Sequence, residues 1–76
     1  MSRSPRITGS ELLAALARAG FTVIRIKGSH HFLRHDDGRG TVVPVHSGDV
    51  IGQGLLHKAL RDCQMSVEDL RRLLQA

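Results

Sequence analysis

Tryptophan and tyrosine are missing from this 76-residue sequence, and Phe21 and Phe32 are its only aromatics. Leu, Val, Ile and Ala must therefore fill the interior, a composition that suits helices packed on a small sheet. So few rings also disfavour a protein that reads single-stranded nucleic acid by stacking its bases. Cysteine is nearly absent. Cys63 stands alone, which rules out an internal disulfide framework and a cysteine-based zinc site and fits a reducing compartment, so a cytoplasmic location is expected. No apolar run approaches membrane-spanning length, and Glu11 and Arg18 interrupt the segment that follows Arg3 and Arg6. Neither a membrane partner nor a signal peptide is expected. The chain is also short enough that one core must use every apolar segment. A Ser-, Arg- and Pro-rich stretch over residues 1–6 reads as a disordered tail, and residues 7–76 read as a single domain without repeats or linkers.

Within that domain, Leu12, Leu13, Leu16 and Ala19 recur at helical spacing. Thr8 or Ser10 supplies a cap, Glu11 suits the first turn, and Gly20 marks the stop. Residues 21–27 are rich in β-branched side chains, and strict alternation places Thr22, Ile24 and Ile26 on one face with Val23, Arg25 and Lys27 on the other. A tight turn at Gly28 and Ser29 leads into a second strand over 30–35, and a loop over 36–40 leads into a third over 41–46. Pro44 lacks a backbone N–H, so the third strand belongs at the sheet edge. A second helix is expected over 53–63, carrying Leu55, Leu56, Ala59 and Leu60, with Cys63 as a small core or boundary residue and His57 on its solvated side. Ser66 with Asp69 forms a variant capping box ahead of a short last helix. This order predicts an α+β fold, a three-stranded antiparallel meander with its helices laid across one face and the other face open.

Two features carry chemistry. The first is charge: eleven Lys and Arg against seven Asp and Glu leave a net +4, and nine of the eleven cations are Arg, whose planar fork matches phosphate. Either an anionic partner or a merely solubilising surface accounts for this balance. The second is histidine, present at positions 30, 31, 35, 46 and 57. Imidazole is the side chain that ordinarily titrates near neutral pH, which makes it the usual proton carrier in catalysis. His30 stands directly after the Gly28-Ser29 turn at a strand start, a rigid and approachable position. His31, its neighbour, must point to the opposite face.

Three segments of the chain together resemble the HicA toxins, also called YcfA-like proteins: Ile7-Thr8-Gly9-Ser10-Glu11-Leu12 through Ala19-Gly20-Phe21, Lys27-Gly28-Ser29-His30-His31-Phe32, and Val43-Pro44-Val45-His46 with Gly54-Leu55-Leu56 beyond. The likeness runs from about Ile7 to Leu74. It implies a fold like a double-stranded-RNA-binding domain, α-β-β-β-α with a short extra C-terminal helix. It also implies cleavage of mRNA and inhibition by a HicB-type antitoxin. The family's functional histidine falls on His30, with Gly28 and Ser29 matching its turn and Pro44-Val45-His46 its strand ending. Where the family commonly opens its second helix with Gly-Thr-Leu, Gly54-Leu55-Leu56 here lacks the hydroxyl cap. On this likeness the expected mechanism has neutral His30 take the ribose 2′-OH proton while Lys27 or Arg25 offsets the developing charge. His46 is a candidate donor to the leaving oxygen if the fold brings it near. No cofactor or metal is required. Gly28, Ser29, His46 and Arg34 join Arg25 and Lys27 as the expected RNA-contacting or charge-stabilising set, and acidic groups of the antitoxin would meet Arg25, Lys27 and Arg34.

Rival readings remain at this level. His31, His35 and His46 with Asp36 or Asp37 are residue types that bind metal, although His31 and His35 stand about 13 Å apart along a strand. A non-catalytic module that holds double-stranded RNA by shape fits the expected fold, and an interaction domain needs only the open sheet face. Ser29 as a nucleophile lacks an identifiable base, so turn geometry is its expected role. Arg71 and Arg72 are read as complementing the last helix dipole.

Overall fold

A computed structural model of the chain describes residues 4–76. Its elements run in the order α1 (Gly9–Arg18), β1 (Thr22–Lys27), β2 (His30–Arg34), β3 (Gly40–Pro44), α2 (Gln53–Asp62) and α3 (Val67–Leu74). The sheet is antiparallel with strand order β1-β2-β3, so β3 is an edge strand, as Pro44 requires. This is the α+β arrangement expected from the sequence, with the topology of a double-stranded-RNA-binding domain and an added third helix.

Local chemistry explains where each helix begins. The Thr8 hydroxyl accepts from the Glu11 N–H at 3.1 Å while Glu11 Oε1 accepts from the Thr8 N–H at 2.8 Å, a complete capping box. Ser66 and Asp69 close the same reciprocal pair at the start of α3, at 2.9 and 3.0 Å. By contrast α2 starts after Gly52 with no side-chain cap, because the cap residue itself is glycine, whereas Gly54-Leu55-Leu56, where the sequence reading placed the lost hydroxyl, already lie inside the helix. Its first amides stay free of an internal partner, and the positive end of its dipole is left uncovered.

The core gathers on one face of the sheet. Leu12, Leu16, Val43, Leu56, Cys63 and Leu70 are fully buried, so α1, α2, α3 and β3 all reach one cluster. Thr41, the one buried polar residue among those described, donates its hydroxyl to Asp62 at 2.9 Å and ties α2 to β3. Lys58 binds the same carboxylate at 2.9 Å, and together with Thr41 it holds the Asp62 carboxyl below the usual aspartate range. At the hairpin between β2 and β3, Arg39 bonds Asp37 at 2.8 Å, donates to the Cys63 carbonyl and lies 5.1 Å over the Phe21 ring. That single side chain fastens the loop to the ends of α1 and α2.

Gly9 positions the first helix against the sheet. A Cβ at this residue would stand 2.5 Å from the Pro44 carbonyl oxygen and 3.1 Å from the Val45 Cα, so only glycine lets the start of α1 approach the end of β3 this closely. The Thr8–Val50 bridge and the 2.7 Å bond from the Ile51 N–H to the Ile7 carbonyl then pin the loop before α2 beside the same point.

Two expectations need correction. Strict alternation in β1 fails because Val23 pairs with Leu33 and Arg25 with Phe32, which leaves Ile24 as the extra residue of a β-bulge. Val23 and Ile26 therefore share the helix-side face, and Thr22 sits on the open face with Arg25 and Lys27. The strands also end earlier than residues 35 and 46: β2 stops at Arg34 and β3 at Pro44, leaving His35 and His46 in the adjoining loops. Of the expected tail, residues 1–3 lie outside the described residues. Ser4 and Pro5 are half-buried, and the Ser4 hydroxyl meets Nε2 of His57 on α2.

Candidate functional site

The register of the sheet sorts the candidate residues by face. His30 pairs with Lys27 on one side and Pro44 on the other, and Phe32 with Arg25 and Val42, so these side chains share the open face with Arg34. His31 pairs with Ile26 and Val43, and Val43 is fully buried, so His31 lies on the helix side. Its Nδ1 is 3.2 Å from the Ser29 carbonyl oxygen and the residue is half-buried, whereas His30 is exposed. Adjacent in sequence, the two histidines are separated by the sheet itself.

The turn that presents His30 is two residues long. Gly28 has φ +60°, a conformation that glycine adopts without strain, and nothing lies within 4 Å of where its Cβ would be. Its open surroundings leave the approach to His30 clear. The Ser29 carbonyl accepts from the Val45 N–H at 2.8 Å, which locks the turn to the chain just beyond β3. Ser29 is half-buried within this turn.

His30 forms part of a pocket of about 430 Å³. Val42, Pro44, Val50, Ile51 and Leu55 make its apolar wall, and His46, Asp49 and Lys58 supply its other polar groups. The fold thus brings His46 to the same pocket as His30, a condition that sequence spacing left open. Asp49 and Lys58 escaped the sequence reading, because one is a loop acid and the other an ordinary helical lysine. Gly52 and Leu55 also border this pocket, which sets the uncapped start of α2 at its rim.

Cations predominate along the open-face register, with Asp49 at the pocket. Arg25, Lys27 and Arg34 form no ion pair among the described residues, and neither do Arg6, Arg18 and Arg61 elsewhere, while Arg39, Lys58, Arg71 and Arg72 each meet a carboxylate. Arg25 lies 5.6 Å over the Phe32 ring, so the aromatic surface of this face is already covered by a cation. Arg71 and Arg72 belong to intrahelical pairs with Glu68 and Asp69 and lie apart from the pocket.

The remaining candidates take structural places. His35 packs edge-on against Phe21 with ring centroids 5.1 Å apart, and its Nδ1 accepts from the Asp37 N–H at 3.1 Å. Among the described residues no three His, Cys, Asp or Glu side chains gather into a metal-binding group, so His31, His35 and His46 do not form the ligand set that their residue types allowed. Cys63 is buried in the core, and burial pushes its thiol up to about 11, far from a reactive thiolate. No helix among the described residues is long and apolar enough to cross a membrane.

The model of the HicA toxin of bacterial toxin–antitoxin systems matches this chain over residues 9–65. Comparison with curated proteins gave no match. The matched span runs from the start of α1 through the whole sheet to the end of α2, and it contains the Gly28-Ser29 turn, His30 and every residue that lines the pocket. By this match the chain belongs to the HicA toxin family.

Proposed function

We propose that this protein is an endoribonuclease that cleaves mRNA with His30 as its general base, and that a HicB-type antitoxin neutralises it by covering that residue. The observation that carries this reading is the position of His30: exposed on a turn, at the wall of a pocket, on the sheet face that also holds Arg25, Lys27 and Arg34. A phosphodiester lying along those cations would present its ribose to the imidazole.

In the proposed reaction the neutral ring of His30 removes the 2′-OH proton, and the 2′-oxygen attacks the adjacent phosphorus. The bond to the 5′-oxygen breaks, leaving a 2′,3′-cyclic phosphate and a 5′-hydroxyl. Lys27 and Arg25 offset charge on the phosphate oxygens as it develops. His46, at the same pocket, is the candidate that returns a proton to the leaving 5′-oxygen. The nucleophile comes from the RNA itself, so this route needs no metal-activated water.

His30→Ala tests the assignment. Loss of a general base lowers rate by about 10² to 10⁴, and an exposed side chain leaves the fold intact, so cleavage and growth arrest should disappear with circular dichroism unchanged. Cleavage in excess EDTA, with a 5′-hydroxyl on the product, is expected of the intact protein. A second reading, a module that holds double-stranded RNA without cutting it, draws on the fold's topology. RNA that stays whole beside active-site-intact protein would favour it.

A further inference from the structure

We infer that the pocket beside His30 receives one unstacked nucleobase, so that the substrate is a single-stranded segment and a duplex is excluded. This inference rests on the ribonuclease reading for its substrate and names the subsite that reading leaves unspecified. Val50 is 48% and Leu55 49% exposed, and both stand at this pocket facing no partner in the core. Exposed apolar side chains gathered at a concave site mark a place where a ligand's apolar surface is covered. A volume of about 430 Å³ lies at the small end of pockets that enclose compact organic ligands, about 300–1,000 Å³.

The occupant follows from what surrounds the pocket. Arg25, Lys27 and Arg34 lie on the adjoining open face without carboxylate partners, which suits a polyanion and opposes an acid-poor apolar protein segment. Along a polynucleotide track, the flat apolar group beside each phosphate is a base. A base stacking on Phe32 would have to displace Arg25 from over its ring. The aliphatic wall of Val42, Pro44, Val50 and Leu55 serves as the platform instead, and so the scarcity of aromatic residues does not forbid base contact here.

Reaction geometry points the same way. Attack by a 2′-oxygen requires that oxygen, the phosphorus and the leaving 5′-oxygen to lie nearly in line, and A-form stacking holds them away from that arrangement. Swinging a base out of the stack and into a pocket at His30 turns the ribose toward the reactive geometry. Within an intact duplex the bases stay stacked and present only groove edges, which cannot enter a pocket of this kind.

The test uses the full chain and one RNA oligonucleotide carrying 2-aminopurine, offered as a single strand and as a duplex. A fully 2′-O-methylated copy cannot be cut and reports binding alone. Val50→Asn and Leu55→Asn alter half-exposed positions, and circular dichroism checks their fold. Expected are cleavage of the single strand at least ~10-fold faster than the duplex, a fluorescence change when wild type binds the methylated strand, and a loss of at least ~10-fold in kcat/KM with a diminished fluorescence change in both variants. Equal cleavage of duplex and single strand, or variants that match wild type in both readouts, overturns the inference while the ribonuclease reading stands. A fluorescence response without cleavage of any RNA overturns the ribonuclease reading instead, and absence of both overturns the two together.

Discussion

His30 and His31 differ by one position in sequence and by the thickness of a sheet in space, and that difference separates their expected phenotypes. His31→Ala removes a half-buried ring that meets the Ser29 carbonyl, so it should lower stability while keeping activity per folded molecule. His30→Ala should do the reverse. Gel assays of both proteins beside thermal melts check the pair, and an active His30→Ala with an inactive, fully folded His31→Ala would falsify the assignment. Gly9 offers a second test at this scale. Alanine favours helix over glycine by up to about 1 kcal/mol, yet its Cβ would drive into the Pro44 carbonyl, and overpacking of this kind costs about 1–3 kcal/mol. Gly9→Ala should therefore lower Tm, with loosened packing between α1 and the end of β3. A raised Tm would show that the close approach relaxes freely.

At the scale of the elements, the Ser66–Asp69 box was legible because caps are local, and it closes. Thr8 and Ser10 both suited the start of α1 in sequence, and the structure selects Thr8, whose box with Glu11 also closes. Ser66→Ala should cost about 1 kcal/mol in chemical denaturation, since it leaves the Asp69 N–H without its acceptor. The cap also depends on pH. The backbone N–H of Ser66 foremost, then its hydroxyl and Arg72, hold the Asp69 carboxyl below its ordinary value of 3.8. A depressed carboxylate contributes stability above its unfolded value and loses it as pH falls through the lower folded value. Acid titration of α3 helicity by circular dichroism should show loss only below about pH 3.8, and Asp69→Asn should flatten that step. The bulge in β1 was not legible in the same way. An extra residue changes no local preference, and Val23, Ile24 and Ile26 are all good strand formers, so only pairing with β2 revealed that Ile24 is the residue left over.

For the whole molecule, the open face and its pocket form one side of a small body, and an antitoxin of ordinary interface size, about 800 Å² per partner, would cover most of it. Arg25, Lys27 and Arg34 pair with no carboxylate among the described residues, so acidic groups on the partner should speed association through long-range attraction. Stopped-flow mixing should show the on-rate falling as salt rises, because the Debye length shrinks from about 30 Å at 0.01 M to 10 Å at 0.1 M. In the complex, His30 should resist chemical modification that it undergoes in the free protein. Undiminished reactivity in an inhibited complex would point to inhibition from elsewhere on the surface.

The amino-acid sequence by itself determined the order of elements, the edge position of β3 and the membership of the family, because each rests on local spacing or on residues close together along the chain. It also set His30 directly after the Gly28-Ser29 turn, which is written in consecutive residues. Tertiary structure alone decided which groups His30 shares a pocket with. His46 leaves β3 after Pro44, Asp49 and Val50 come from the loop pinned by Thr8, and Leu55 and Lys58 come from α2, so their convergence depends on how α2 packs on β3 and how Gly9 lets α1 close against it. Sequence spacing carries no record of such distances, which are set by core packing among residues far apart along the chain.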